Sequence, residues 1–128
     1  MSDPRTRLLV ADDDADILSL VQIVLETAGY DVLAAQDGAQ AVELALAHRP
    51  ALVILDVMMP RVDGLEAVRR LRAEAGFETL PIILLTARVA DADVSAGLEA
   101  GATEYLRKPF SPQELRERVA AALAATSG

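Results

Sequence analysis

The sequence predicts an α/β protein: a doubly wound, five-stranded parallel sheet with helices on both faces. Two observations carry this. Five short apolar runs recur along the 128 residues, most of them without in–out alternation. Between them lie longer stretches whose apolar residues return every three to four positions. Continuous apolar runs suit parallel strands covered on both faces, and the longer spacing suits amphipathic helices. Alternation of the two implies right-handed β-α units feeding one sheet.

The elements follow in order. The strand runs are Leu8-Leu9-Val10-Ala11, Val32-Leu33-Ala34-Ala35, Leu52-Val53-Ile54-Leu55, Ile82-Ile83-Leu84-Leu85 and the short Tyr105-Leu106. The first helix shows a stripe of Ile17, Leu20, Val21, Val24 and Ala28. A second helix is expected near 38–48 and a fourth near 91–100, where Val94 and Leu98 are the large apolar residues. The third carries Leu65, Val68 and Leu71, with Glu66, Arg69, Arg70 and Arg72 off that stripe. The fifth carries Leu115, Val119 and Leu123, with Arg116, Glu117 and Arg118 outward. Gly29 and Gly101 stand where helix ends are expected. Ser111-Pro112 followed by Glu114 reads as a helix start, with Ser as cap and Pro in the first turn.

Composition sets the bounds. The length suits one domain spanning 1–128, with a core of about 6–124, and needs no staples to bury a core. Hydrophobic residues make up 52% and aromatics 3%, so Leu, Val, Ile and Ala must fill the interior. The absence of cysteine excludes thiolate chemistry and a disulfide framework. No signal peptide is visible and no apolar stretch reaches the ~20 residues of a membrane helix, so a cytoplasmic location away from the membrane is expected. The net charge of −8 argues against a nucleic-acid surface in this domain and is compatible with a divalent cation or a basic partner.

In a parallel sheet, ligands bind beyond the carboxyl ends of the strands, near the point where strand order reverses. The first strand here ends in Asp12-Asp13-Asp14, the third in Asp56 and the fourth in Thr86, and the fifth is followed by Lys108-Pro109. Each has a bland explanation taken singly, and Asp14 reads as the cap of the first helix. Their joint occurrence at strand ends is harder to dismiss. Carboxylates at about 4 Å repel by roughly 4 kcal/mol per pair at an effective dielectric of about 20. Such a site raises a pKa or binds a cation, and oxygen ligands with incomplete protein coordination suit Mg²⁺. With Mg²⁺ and a Lys beside it, an Asp carboxylate can act as a nucleophile toward phosphorus, and Thr86 offers a hydroxyl to a phosphoryl oxygen.

The pattern closely resembles the receiver domain of two-component response regulators. The resemblance spans residues 6–124 and is carried by four motifs. These are Asp12-Asp13 after an apolar strand, Leu55-Asp56-Val57-Met58-Met59-Pro60 with Gly64, Leu85-Thr86-Ala87, and Gly101-Ala102-Thr103-Glu104-Tyr105-Leu106-Arg107-Lys108-Pro109-Phe110. It implies the flavodoxin-like strand order 2-1-3-4-5, of which a receiver is a standard example. It further implies that Asp56 accepts a phosphoryl group from a sensor histidine kinase or phosphotransfer protein, or from a small phosphodonor. By the same resemblance Asp13 and Asp56 are direct Mg²⁺ ligands, Asp12 reaches the metal through water, and the backbone carbonyl of Met58 completes the protein set. Lys108 contacts the phosphoryl group and precedes a cis peptide bond to Pro109. Thr86 and Tyr105 are the pair that rearranges, switching the surface of the fourth helix, fifth strand and fifth helix. Met58 and Arg88 tune phosphoryl lifetime. Bulky apolar Met58 predicts slow self-dephosphorylation, the chain being a regulatory phosphoacceptor rather than an enzyme.

Three other readings compete with this one. An Mg²⁺-dependent aspartyl-phosphate phosphatase would use Asp12-x-Asp14, which leaves Asp56 unexplained. A phosphorylation-independent interaction module on the same fold leaves the full residue set unexplained. An EF-hand fails because Ile17 replaces the needed Gly and Ile23 the bidentate Glu. Lone His48 falls outside the site. Homodimerisation on phosphorylation stays open. Glu104, Glu114 and Arg118 fit parts of the charged network used by the DNA-binding subfamily, whereas Thr103, Val94 and Ala125 stand where charges are expected. The sequence is compatible with a single-domain regulator and with a receiver from a longer protein.

Overall fold

The computed structural model describes residues 6–59, 61–86 and 99–127. Within them lie β1 (Arg7–Ala11), α1 (Ala15–Thr27), β2 (Asp31–Ala35), α2 (Gly38–His48), β3 (Leu52–Asp56), α3 (Gly64–Arg72), β4 (Ile82–Thr86), β5 (Glu104–Arg107) and α4 (Pro112–Ser127). The helix expected near 91–100 falls mostly outside the described residues; α4 is the helix read from Leu115, Val119 and Leu123. The five strands are parallel in the order β2-β1-β3-β4-β5.

Alternate residues of the inner strands divide between two apolar layers. Leu9, Ala11, Val53, Leu55, Ile82 and Leu84 face α2 and α3, joined by Ala41, Ala45, Ala67, Val68 and Leu71. Leu8, Val10, Leu52, Ile54, Ile83 and Leu85 face α1 and α4, meeting Leu18, Val21, Leu25, Leu115 and Val119. Burial on both faces explains why these strands lack alternation. Each buried Leu or Ile contributes roughly 2 kcal/mol.

All four described helices start on a side-chain cap, which stabilises each by about 1 kcal/mol. Asp14 accepts from Asp16 N and Ile17 N at 3.0 and 3.3 Å, and Asp37 from Gln40 N at 2.8 Å. Asp63 accepts from Glu66 N at 2.9 Å and Ser111 Oγ from Glu114 N at 3.0 Å. The capping roles read for Asp14 and Ser111 hold. Gly29 and Gly101, both expected at helix ends, have φ of +102° and +114°, a region that favours glycine. Tyr30 follows Gly29, partly buried ahead of edge strand β2.

Two readings are corrected. The stripe of α1 is rotated: Leu18 and Leu25 are buried with Val21 and Val24, while Leu20 faces solvent and Ile17 is half-covered. This helix carries apolar residues on more than one face, so its period has two solutions. Arg72, read as off the apolar stripe of this helix, is half-buried. Its guanidinium donates to the carbonyls of Gly101 and Phe77, each at 2.8 Å, and approaches Thr103 Oγ1 at 3.4 Å. Those acceptors come from other segments and leave no trace in the helical period.

Candidate functional site

Strand order reverses at β1, which sits between β2 and β3. The carboxyl ends of β1 and β3 therefore flank the switch point. Asp12 and Asp13 follow β1, Asp56 ends β3, Thr86 ends β4, and Lys108 follows β5. Topology alone brings the five to one edge of the sheet.

Carboxylate oxygens of Asp12, Asp13 and Asp56 lie within 4.8 Å of one another. Asp12 and Asp56 are buried and Asp13 is exposed, so the cluster opens to solvent on one side. Asp12 is held from two directions: its Oδ1 accepts from Asp14 N at 2.9 Å and its Oδ2 from Lys108 Nζ at 3.0 Å. Lys108 Nζ also lies 3.4 Å from Asp56 Oδ1, so one cation bridges two buried carboxylates. The Lys108-Pro109 peptide is cis, as expected. Backbone bonds lock the neighbouring segments. Val57 N donates to Leu85 O at 3.0 Å, and Lys108 N to Thr86 O at 2.8 Å.

The charges do not balance, and the titration behaviour records it. Burial and the negative charge of Asp12 push the Asp56 carboxyl up from 3.8 to about 6, against the pull of Lys108 and the Met58 N–H. Burial lowers Lys108, but its hydrogen bond to Asp12 and the charge of Asp56 outweigh that and raise it. Among the described residues a single ammonium faces three carboxylates, which leaves spare negative charge in the pocket. That donor set fits a hard divalent cation that keeps some of its water.

Thr86 is buried at the end of β4, and Tyr105 is half-buried in β5 opposite Leu84. Met58, two residues after Asp56, is 74% exposed. Arg88 lies outside the described residues. His48 ends α2, close to Arg7 at the start of β1 and so at the opposite edge of the sheet. Sequence reasoning missed the seat of the loop after β3. Met59 and Val62 are buried in the core, and the backbone at Val62 touches Gly38 at the start of α2. It also missed an apolar groove of about 550 Å³ beside the pocket, lined by Ile17, Leu20, Lys108, Pro109 and Phe110. The available signal was that α1 holds more large apolar residues, Ile17, Leu18, Leu20 and Leu25 among them, than one face needs.

Comparison with known proteins places this geometry. A family model described as the response regulator receiver domain matches residues 8–120. Over 117 residues, 91% of the chain, it is 44% identical to the alkaline phosphatase synthesis transcriptional regulatory protein PhoP of Bacillus subtilis, covering 48% of that protein. The chain spans about half the length of the curated relatives it matches. Among solved structures, a response regulator from Chloroflexus aurantiacus superposes with a TM-score of 0.89 at 41% identity, over 95% of this chain and 99% of that one. The receiver domain of the sensor histidine kinase PA1611 of Pseudomonas aeruginosa superposes with a TM-score of 0.88 at 31% identity, over 95% and 99%. That structure holds a magnesium ion in its active-site cleft.

Proposed function

The chain belongs to the response regulator receiver domain family, and on that premise we propose that it accepts a phosphoryl group on Asp56 in an Mg²⁺-dependent transfer and signals through the change. The observation that carries this reading is the convergence of three carboxylates within 4.8 Å, two of them bridged by Lys108. Neither a capping role nor solubility calls for buried acids in that arrangement.

In this reading an Asp56 carboxylate oxygen attacks phosphorus. The new O–P bond forms as the P–N bond of a phosphohistidine breaks, and the imidazole leaves with the electron pair. Asp13, Asp56 and the Met58 carbonyl would hold Mg²⁺, with Asp12 reaching it through water, and the cation would supply positive charge against the negative charge on the equatorial phosphoryl oxygens. Lys108 is already seated beside Asp56 and is kept protonated, so its charge needs no reorganisation during transfer. Thr86 contributes its hydroxyl to a phosphoryl oxygen. Tyr105 follows, so the face of β5, α4 and the segment at 91–100 carries the output. Phosphate biases that face through its differential interaction with two states.

The donor is a sensor histidine kinase or phosphotransfer protein. The groove of Ile17, Leu20, Pro109 and Phe110 supports docking beside the pocket, since it offers apolar surface next to the nucleophile. Ile23, 62% exposed, extends the apolar surface of α1. Among the described residues no helix is long and apolar enough to cross a membrane; the setting we propose is cytoplasmic. Slow loss of the phosphoryl group, with Met58 and Arg88 setting its lifetime, completes the proposal. Dimerisation of the phosphorylated form through β5 and α4 would compete with the pairing of Glu104 with Arg118 of the same chain at 2.8 Å.

The test is intact mass after incubation with acetyl phosphate and Mg²⁺. Wild type gains one phosphoryl group and Asp56→Asn gains none. An unlabelled wild type leaves only a phosphorylation-independent interaction module.

A further inference from the structure

Gly38 opens α2, and no side chain fits there. A Cβ built on it would overlap the carbonyl oxygen of Val62 and lie 2.7 Å from its carbonyl carbon. Gly38 lacks the positive φ that marks Gly29, Gly76 and Gly101. Its backbone is one any residue adopts, and alanine is the better helix former. The glycine is therefore required by close approach and not by conformation.

Other contacts fasten the same loop to the same helix end. The side chains of Met59 and Val62 are buried with Ala35 and Ala41. Arg61, at φ +67°, extends to Asp37 at 3.5 Å, and Asp37 caps α2. At the far end of the loop Gly64 N donates to Val57 O at 3.0 Å. Residues 57–59 and 61–63 are thus clamped between β3 and the first residues of α2, and Met58 is among them.

We propose that Gly38 is a positioning residue for the Mg²⁺ site: its bare backbone seats Val62 and so sets where the loop presents the Met58 carbonyl. This rests on the reading of Mg²⁺-dependent phosphoryl acceptance above. A methyl group at position 38 pushes the Val62 carbonyl away and drags the loop with it. Mg²⁺ demands near-ideal octahedral geometry at short range, so a displaced carbonyl is a lost or stretched ligand.

The experiment is calorimetric titration of Mg²⁺ into the whole chain as wild type, Gly38→Ala, Val62→Ala and Gly29→Ala, at a temperature where each is folded by circular dichroism. Gly29 is the control. Its φ of +102° makes alanine strained, yet a Cβ there meets nothing within 4 Å, and the position lies at the other end of the sheet. Gly38→Ala weakens Mg²⁺ binding about tenfold, the scale of losing support behind a metal ligand. Val62→Ala weakens it by a smaller factor. Gly29→Ala lowers the melting temperature and keeps wild-type affinity, which separates positioning from general destabilisation. Wild-type affinity in a folded Gly38→Ala overturns the inference alone. Where Gly38→Ala does not fold, Val62→Ala decides, and unchanged affinity there overturns it equally. A wild type that binds no Mg²⁺ overturns the functional reading and the inference with it.

Discussion

Removing the central carboxylate should make the metal-free protein more stable. In Asp56→Asn the backbone, the volume and the contact with Lys108 are nearly kept, while one buried negative charge goes. The magnitude follows from the raised pKa. Asp56 titrates at about 6 folded against 3.8 unperturbed. That displacement corresponds to ~3 kcal/mol at neutral pH, already net of the attraction to Lys108. Water entering beside exposed Asp13 screens part of it, leaving about 1–2 kcal/mol. The sign is fixed by proton linkage. Below 3.8 the carboxyl is neutral folded and unfolded, and the penalty is absent. Between 3.8 and about 6 the folded protein keeps a proton that the unfolded chain releases, so the Asp56 contribution falls as pH rises. Above that window the penalty is complete. Thermal unfolding by circular dichroism with chelator should place Asp56→Asn on the order of 5 °C above wild type at neutral pH. The gap should close as pH is lowered through the window. Saturating Mg²⁺ should shrink it at neutral pH, because the cation stabilises the wild type more than the variant. A variant less stable than wild type at neutral pH, or an advantage independent of pH, would refute the electrostatic account.

The opposite perturbation has the opposite sign. Lys108→Met strips Asp12 and Asp56 of their shared cation and should cost about 2 kcal/mol or more at neutral pH, read by urea unfolding, with phosphoryl uptake from acetyl phosphate slowed. Met58→Asn puts a small polar group two residues after Asp56 in place of an exposed apolar one. The phosphorylated variant should lose its label faster than wild type by roughly a factor of ten or less, followed by intact mass over time. Arg72→Ala deprives the Gly101 and Phe77 carbonyls of their donor and should cost about 1–3 kcal/mol in urea unfolding, with Asp56 still labelled.

The site was legible because it is made of residues at strand ends. Once the runs ending in Ala11, Leu55 and Leu85 are read as parallel neighbours, Asp12, Asp56 and Thr86 have to meet, whatever their separation along the chain. The strands were legible for a related reason: burial on both faces leaves Leu52 to Leu55 and Ile82 to Leu85 unbroken by polar residues. What escaped depends on approach between segments. Arg72 looks like any outward arginine of α3 until Gly101 and Phe77 are brought beside it. Gly38 looks like an ordinary residue after a capping Asp until Val62 arrives. The register of α1 escaped because Ile17, Leu18, Leu20 and Leu25 are all apolar, and packing against β1, β3 and α4 is what covers Leu18 and Leu25 and leaves Leu20 on the open side.

The two tyrosines sit at opposite margins of the sheet. Tyr30 adjoins edge strand β2 and Tyr105 belongs to edge strand β5, and the chain contains no tryptophan. The molecule therefore carries a spectroscopic reporter and an internal reference in one uniform label. Fluorotyrosine incorporated throughout gives two ¹⁹F resonances, one on β5, the strand that leads into Lys108, and one at the opposite margin, with three strands between them. A ligand that reorganises the β5 margin moves the first and spares the second, whereas loosening of the whole domain broadens both.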